Sequence, residues 1–472
     1  MNNKFFKSYL FKVLLVTTCG FVSSCEDFVE VEVPNHKIVS QTVFNNDNTA
    51  NSALIGIYNE LFRSYWSGGG RNSISVLSAL SADNLRTTIL DNDLIEYEQN
   101  EISAQNTSNL NLWSSAYNII YMCNAALDGL QISEGVSPEI KAKFIGEARF
   151  VRAFVYLYLV NLYGEVPLVQ TSDYRINALA PRNNIDEIYS LIINDLERAI
   201  EVLGGNYDNG ERLRPNKFAA MALMARVYLY LEDWEKAEAF SSQVITSSEN
   251  YALLNDLDAV FLANSKEAIW QVSPVGSGSA LTHTKEGNLF ILLENPKYNT
   301  PVSLSDHFVA SFSVDDSRVN SWIQTFSSEN ETFYYPFKYK VKYASSGDIE
   351  EYSMVLRLAE QYLIRCEARS RQGKLPGAIN DLDRIRERAN LSLLSNVSPE
   401  IDQKALLDSI MIERRRELFT EWGHRWLDLK RSGKVSDILS STKPSWQETD
   451  ILYPIPEEEI GKNPNLTQNI GY

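Results

Sequence analysis

Two stretches of the chain, NKFAAMALMARVYLYLEDWEKAEAFSSQVI (216–245) and RLAEQYLIRCEARSRQGKLPGAINDLDRIR (357–386), restrict the fold more than any other feature. In each, apolar residues recur at helical spacing, stop at a short polar turn and resume. Ala225 and Ala237 stand twelve apart across the first turn, and Cys366 and Ala378 stand twelve apart across the second. Small side chains at that spacing let two antiparallel helices touch closely, as in a tetratricopeptide helix pair of about 34 residues. The pattern predicts a mainly α fold in which tetratricopeptide-like helical hairpins form a scaffold.

Further helices are written elsewhere. Ala50, Leu54, Ile57, Tyr58 and Leu61 share one helix face, which ends in the glycine loop SYWSGGGRN. Trp113, Tyr117, Ile120, Tyr121 and Leu127 mark a second helix. Phe144, Ala148, Val151, Phe154, Val155 and Tyr158 mark a third, stopped by Gly164 and Pro167. Residues 185–203 predict a fourth. Residues 263–350 read differently, with strand-like EAIWQV, a GSGSA loop and the alternating FYYPFKYKVKY, which predicts a β-ribbon. This is an irregular insertion with short β-strands between helical parts.

The N-terminus is a leader. Lys4, Lys7 and Lys12 precede an apolar run from Val13 to Val22 that is too short and poorly flanked to span a bilayer. It closes on Ser23-Ser24-Cys25, which resembles a bacterial lipobox. Residues 1–24 are then a signal peptide, and Cys25 is lipidated as the first mature residue. Glu26 and Asp27 resemble the acidic tag that sends lipoproteins of Bacteroidetes-type bacteria to the cell surface. Several acyl chains give a durable anchor where one gives only marginal binding.

Composition removes other classes of function. A formal charge of −17 opposes nucleic-acid binding, which needs clustered Lys and Arg. Four histidines without CxxC, HExxH or similar ligand spacing predict no built-in transition metal. Among 61 acidic residues, no carboxylate pair stands out for glycoside hydrolysis, and GxSxG is absent. The sequence predicts no catalytic residues and no cofactor.

Five ordered motifs carry a family resemblance: EARFVRAFVYLYLVNLYGEVPLV (147–169), SLSDHFVASFSVDDSRV (303–319), VLRLAEQYLIRCEARSRQGKLPGAINDLDRIRERANL (355–391), IERRRELFTEWGHRWLDLKRSG (412–433) and the ending LYPIPEEEIGKNPNLTQNIGY. Together with the lipobox, they make the chain resemble the SusD/RagB family of nutrient-binding surface lipoproteins. The resemblance implies one SusD-like domain over 25–472. Its helical scaffold lies mainly in 45–65, 110–262 and 352–435, with variable ligand-side segments at 65–110 and 263–350. It implies an outer-membrane, cell-surface location and a partner, a SusC-like TonB-dependent transporter, to which a captured glycan is delivered. The same uptake role for peptides, or a tetratricopeptide adaptor holding only proteins, remains open.

Sugars offer C–H faces to aromatic rings and hydroxyls to Asn, Asp, Arg or Gln. The first variable segment supplies Tyr65, Trp66, Arg71, Asn72, Asp83 and Asn84, and the second supplies Phe290, Tyr298, Trp322, Tyr334 and Tyr335. The expected ligand-binding residues are Trp66, Arg71, Asp83, Asn84, Tyr298 and Trp322. Trp113, Trp234 and Trp270 sit in regular elements and are expected to pack. The charges of 412–431, with His424, are expected to form a structural ion-pair network, and Asp315-Asp316 with Arg318 a structural turn.

Overall fold

The computed structural model describes residues 43–274, 281–329, 331–344 and 347–472. The leader, Cys25 and the GSGSA loop lie outside these residues. Twelve of the helices among these residues build the scaffold and frame the site. They are α1 (Asp47–Arg63), α2 (Ile74–Ser81), α3 (Asn92–Gln99), α4 (Thr107–Ile132), α5 (Pro138–Tyr163), α6 (Ile185–Val202), α7 (Lys217–Tyr230), α8 (Trp234–Ile245), α9 (Leu358–Arg371), α10 (Leu375–Arg388), α11 (Gln403–Glu417) and α12 (His424–Arg431). Strands run in four antiparallel pairs. β1 (Leu85–Thr87) pairs with β5 (Val302–Leu304), and β2 (Val166–Pro167) with β3 (Arg182–Asn183). β4 (Ala268–Val272) pairs with β8 (Ser353–Arg357), and β6 (Ile323–Ser327) with β7 (Thr332–Pro336). The protein is mainly helical, as the periodicity predicts.

From α4 to α10 each helix packs on the next in sequence, so the helices form a stack. The small residues do what their spacing predicts. Ala225 and Ala237 are fully buried between α7 and α8. Cys366 touches the second helix directly, its Sγ donating to the Ala378 carbonyl at 3.1 Å. The turns of the two hairpins also correspond. Gly373 at φ +75° follows α9, and Glu232 at φ +57° occupies the equivalent place after α7. A left-handed conformation suits glycine and strains glutamate.

The irregular insertion leaves after α8 and returns at α9, and these two helices pack on each other across the gap. β4 and β8 pair at its base, all ten of their residues buried, and so close it off from the stack. EAIWQV is therefore a strand, and FYYP forms one arm of the expected β-ribbon with β6 as the other. The first variable segment departs from expectation. It is not only loop, because α2 lies inside it with all eight residues buried. ISVLSALS is buried on every side, its stripe of Ser75, Ser78 and Ser81 included, so its pattern of small polar residues does not mark a solvent face.

IERRRELFTEWGHRWLDLKR folds as two helices, α11 and α12. They are separated by a bend in which Thr420, Trp422 and Gly423 have φ of +55°, +45° and +71°. Its charges form the expected network, and the network reaches into the insertion. Arg357 at the end of β8 donates to Glu421 at 2.7 Å, Glu267 at 2.9 Å and Glu417 at 2.6 Å. Glu417 also meets Arg388 of α10 and Arg318 of the insertion. Arg318 further pairs with Asp316 at 2.7 Å and Glu413 at 2.6 Å, so DDSR is a structural turn tied to α11. Lys338 binds Glu421 and the carbonyls of Glu417 and Phe419. Burial alone would raise the Glu417 carboxyl, but the charges of Arg388, Arg357 and Arg318 hold it far below the carboxylate range. Burial lowers Lys338 to about 8, against the pull of Glu421. His424 is buried among cations and stays neutral well below its usual value.

Removing one partner of a buried ion pair strands the other charge, at a cost of about 3–5 kcal/mol. Glu417→Gln is expected to lower stability by about that amount in urea unfolding at pH 7. A lowered folded-state value means that the Glu417 contribution is present above its ordinary value of 4.5 and lost as pH falls below it. The gap between wild type and variant is therefore expected to close as unfolding is repeated from pH 5 downward. A gap that stays constant with pH would show that the carboxylate charge is not what stabilises the fold.

Candidate functional site

The six residues expected at a ligand site divide in two, and four of them are structural. Trp66 is fully buried. Its ring meets Phe154, Tyr158 and Trp422 at 5.5, 5.6 and 5.8 Å, edge to face. Trp322 is also fully buried and donates through Nε1 to the Leu257 carbonyl at 3.0 Å. It packs on Phe261, with Lys338 Nζ 4.7 Å above its ring. Both tryptophans are core residues, and their rings are closed to a ligand. They sit beside loops in sequence, but the chain turns each inward because the aromatic area gains more from burial than from solvent.

Asp83 and Asn84 are clamps. Asp83 is bound by Arg425 at 2.8 and 3.0 Å and by Arg415 at 2.9 Å. Burial pushes its carboxyl up, but the bonds and charges of Arg425 and then Arg415 outweigh this and hold it below the ordinary value. Asn84 is fully buried and accepts from Arg415 Nε at 2.8 Å. Together they fasten α11 and α12 to the chain entering β1, and no helix begins at Asn84.

Arg71 and Tyr298 come together at the surface. The Arg71 guanidinium lies 4.2 Å from the centre of the Tyr298 ring, and 66 % of Tyr298 is exposed. Arg71 is itself held by an ion pair with Asp91, which also caps α3 by accepting from Leu94 N. The strand pair β1–β5 makes this meeting possible. Its register sets Thr87 opposite Val302, and Thr88 N extends the ladder to the Pro301 carbonyl at 2.8 Å. A tight turn from Lys297 to Thr300, closed by Thr300 N on the Lys297 carbonyl at 2.8 Å, then presents Tyr298. Residues more than 220 positions apart in sequence thus form one platform.

The same loops expose Tyr65, Leu90 and Leu293. Phe290 and Tyr335 are buried and Tyr334 is half-buried, so of the second segment's aromatic candidates Tyr298 alone is exposed. Trp113 and Trp270 are core residues, and Trp234 packs half-buried against the core, as expected. Asp91 was missed in the sequence. Its visible signal is that of a helix cap before Asn92, which hides its second task of restraining Arg71.

Comparison with known proteins places both halves of the chain. Residues 27–229 match a SusD-like family profile described as starch-binding and associating with the outer membrane, and residues 310–472 match the profile of the SusD family. The chain belongs to the SusD/RagB family. A SusD-like protein of Formosa agariphila is 24% identical over 524 aligned positions, covering 99% of this chain and 100% of that one. A crystal structure of a SusD superfamily protein from Bacteroides vulgatus superimposes with a TM-score of 0.78 at 21% identity, covering 90% of this chain and 99% of that one. A laminarin-binding SusD-like protein superimposes with a TM-score of 0.75 at 23% identity, covering 91% and 100%. The SusD-like fold is thus shared across the helical stack and the insertion. Among the described residues, no helix is long and apolar enough to cross a membrane.

The two tryptophans test the distinction between core and site. Trp66→Ala and Trp322→Ala are each expected to lose about 3–5 kcal/mol of stability by opening a cavity in a packed core. Thermal and urea unfolding measure this. A variant that unfolds like wild type would mean that its ring is not a packing element.

Proposed function

We propose that this SusD-family protein captures a glycan at the bacterial cell surface, anchored to the outer membrane through Cys25, and delivers it to a SusC-like TonB-dependent transporter. The observation that carries the glycan reading is the Tyr298 ring, largely exposed and backed by an immobilised guanidinium. An exposed ring held in one orientation offers a flat apolar face at little further entropic cost, which suits the C–H face of a pyranose. The starch-binding description of the N-terminal profile and the laminarin-binding structural neighbour support the same ligand class. The anchor and the transporter follow from the lipobox and from membership of the family. On this reading the protein binds its ligand without altering it.

Affinity electrophoresis of the full chain, held in a detergent without a sugar headgroup, tests this against laminarin, soluble starch and other polysaccharides. One glycan is expected to retard the protein. Tyr298→Ala is expected to reduce affinity by about tenfold, the loss of roughly 1.4 kcal/mol of stacking. Arg71→Ala should weaken binding less, because it frees the ring without removing it. Retardation by no glycan, with calorimetric binding of peptide mixtures, would replace the glycan reading with peptide capture.

A further inference from the structure

We propose that the protein has a second ligand site for a hydroxyl-rich sugar unit, in the cleft between α1, the 208–214 loop and the inner ends of β4 and β8. The ligand class rests on the glycan reading above, whereas the site stands on its own geometry. The cleft has a volume of about 780 Å³, within the range of pockets that enclose small organic ligands. Neither Arg71 nor Tyr298 lines it.

One wall comes from the helix period. α1 turns Ala50, Leu54, Ile57 and Leu61 into the core. The neighbouring stripe of Asn51, Ile55, Tyr58 and Asn59 lines the cleft. Glu211 and Arg214 stand on the opposite wall, and Val272 and Tyr352 contribute at the ends of the strand pair.

Behind the cleft, a buried carboxylate fixes its walls. Glu147 of α5 is fully buried and accepts from Tyr58 Oη at 2.6 Å and from Arg214 Nε at 2.7 Å. Arg214 Nη1 then donates to Asn51 Oδ1 at 2.6 Å. The guanidinium also packs between the Tyr58 and Phe144 rings, 5.6 and 5.2 Å from their centres. Tyr58, Asn51 and Arg214 are therefore held in place before any ligand arrives, which lowers the entropic cost of binding.

Other polar groups of the cleft are unspent. The side chains of Asn59 and Glu211 and the Nδ2 of Asn51 make no hydrogen bond to any described residue. An amide both donates and accepts, and a carboxylate accepts from two hydroxyls at once. Ile55, Leu213 and Val272 place apolar surface between these groups. Alternating apolar wall with unspent amide and carboxylate matches a ring that carries hydroxyls at its edge and C–H on its faces. Asp208 at the rim is paired with Lys143 and Arg214 with Glu147, which leaves Glu211, among the described residues, as the unpaired charge of the lining, disfavouring phosphate or sulfate esters and favouring hydroxyl donors.

Hydrogen exchange of the full chain, in a detergent without a sugar headgroup, reads the cleft directly. The probes are oligosaccharides prepared from laminarin, starch and β-mannan, each at saturating concentration. At least one is expected to slow exchange across 208–214. That protection should be lost in Asn59→Ala/Glu211→Ala, whose side chains make no hydrogen bond to a described residue, and kept in Tyr298→Ala. The proposal is overturned if no probe protects 208–214, or if protection persists in the double variant. Gel retardation abolished by Tyr298→Ala with no protection at 208–214 leaves the glycan reading standing and removes the cleft. Protection at 208–214 with Tyr298→Ala indistinguishable from wild type on the gel leaves the cleft standing and removes the Tyr298 platform.

Discussion

The fold turns on the contact between Arg357 and Glu417. Arg357 closes the strand pair at the base of the insertion, and Glu417 ends α11. Around them, Arg318, Lys338, Arg386 and Arg388 face Glu267, Asp316, Glu413 and Glu421, so each charge meets an opposite one. The insertion contributes Arg318 and Lys338, and α11 contributes Glu413 and Glu417. A segment of irregular backbone is thereby fixed on a helical stack by charge pairing, over the aromatic surface of Phe261, Trp322 and Phe419. An apolar filling of the same volume would often be as stable, so the network is better understood as specifying one arrangement than as adding stability. Each arginine fork accepts few carboxylate geometries, and a sliding insertion would leave several buried charges unpaired.

A second clamp follows the same logic on the other variable segment. Arg415 of α11 and Arg425 of α12 hold Asp83, and Arg415 also holds Asn84, immediately before β1. β1 then pairs with β5 of the insertion, and Ser305 just after β5 donates to the Asn84 and Asp83 carbonyls, so this end of the strand pair is fixed by the same clamp, while Thr88 N on the Pro301 carbonyl closes the other. A three-residue strand pair is too short to be stable alone. Here it is held at both ends, and it can set the loops around Arg71 and Tyr298 to within a residue of register.

The helical stack was legible in the sequence because its signals are local. Periodicity, the Ala225/Ala237 and Cys366/Ala378 spacings and the Gly164 stop need no knowledge of distant residues. The ion-pair framework of 412–431 is legible for the same reason, since opposite charges at helical spacing advertise themselves. The site was less legible for a physical reason. Trp66 and Trp322 are flanked by Gly, Ser and Asn, and composition near a residue says nothing of which way its side chain turns. The burial of Trp322 depends on Phe261, Lys338 and Phe419, which lie 16 to 97 positions away. Arg71 and Tyr298 were named individually, but their stacking depends on the β1–β5 register, which no local pattern announces. The stripe of Asn51, Ile55, Tyr58 and Asn59 was hidden by the core stripe beside it, which shares Tyr58's apolar character.

The division of labour between buried tryptophan and exposed tyrosine has a consequence for how such a protein can change its ligand. Tyr298 stacks on Arg71 and otherwise faces solvent, so altering it leaves the Arg357–Glu417 network and the Trp66 cluster untouched. Asp83 is the reverse case, because any change there removes a carboxylate partner from both Arg415 and Arg425. Polar residues at the surface of the insertion are therefore free to vary, whereas similar residues a few positions away are fixed by the charges they satisfy. Tyr298 thus stands on a loop whose position is settled elsewhere by burial and charge.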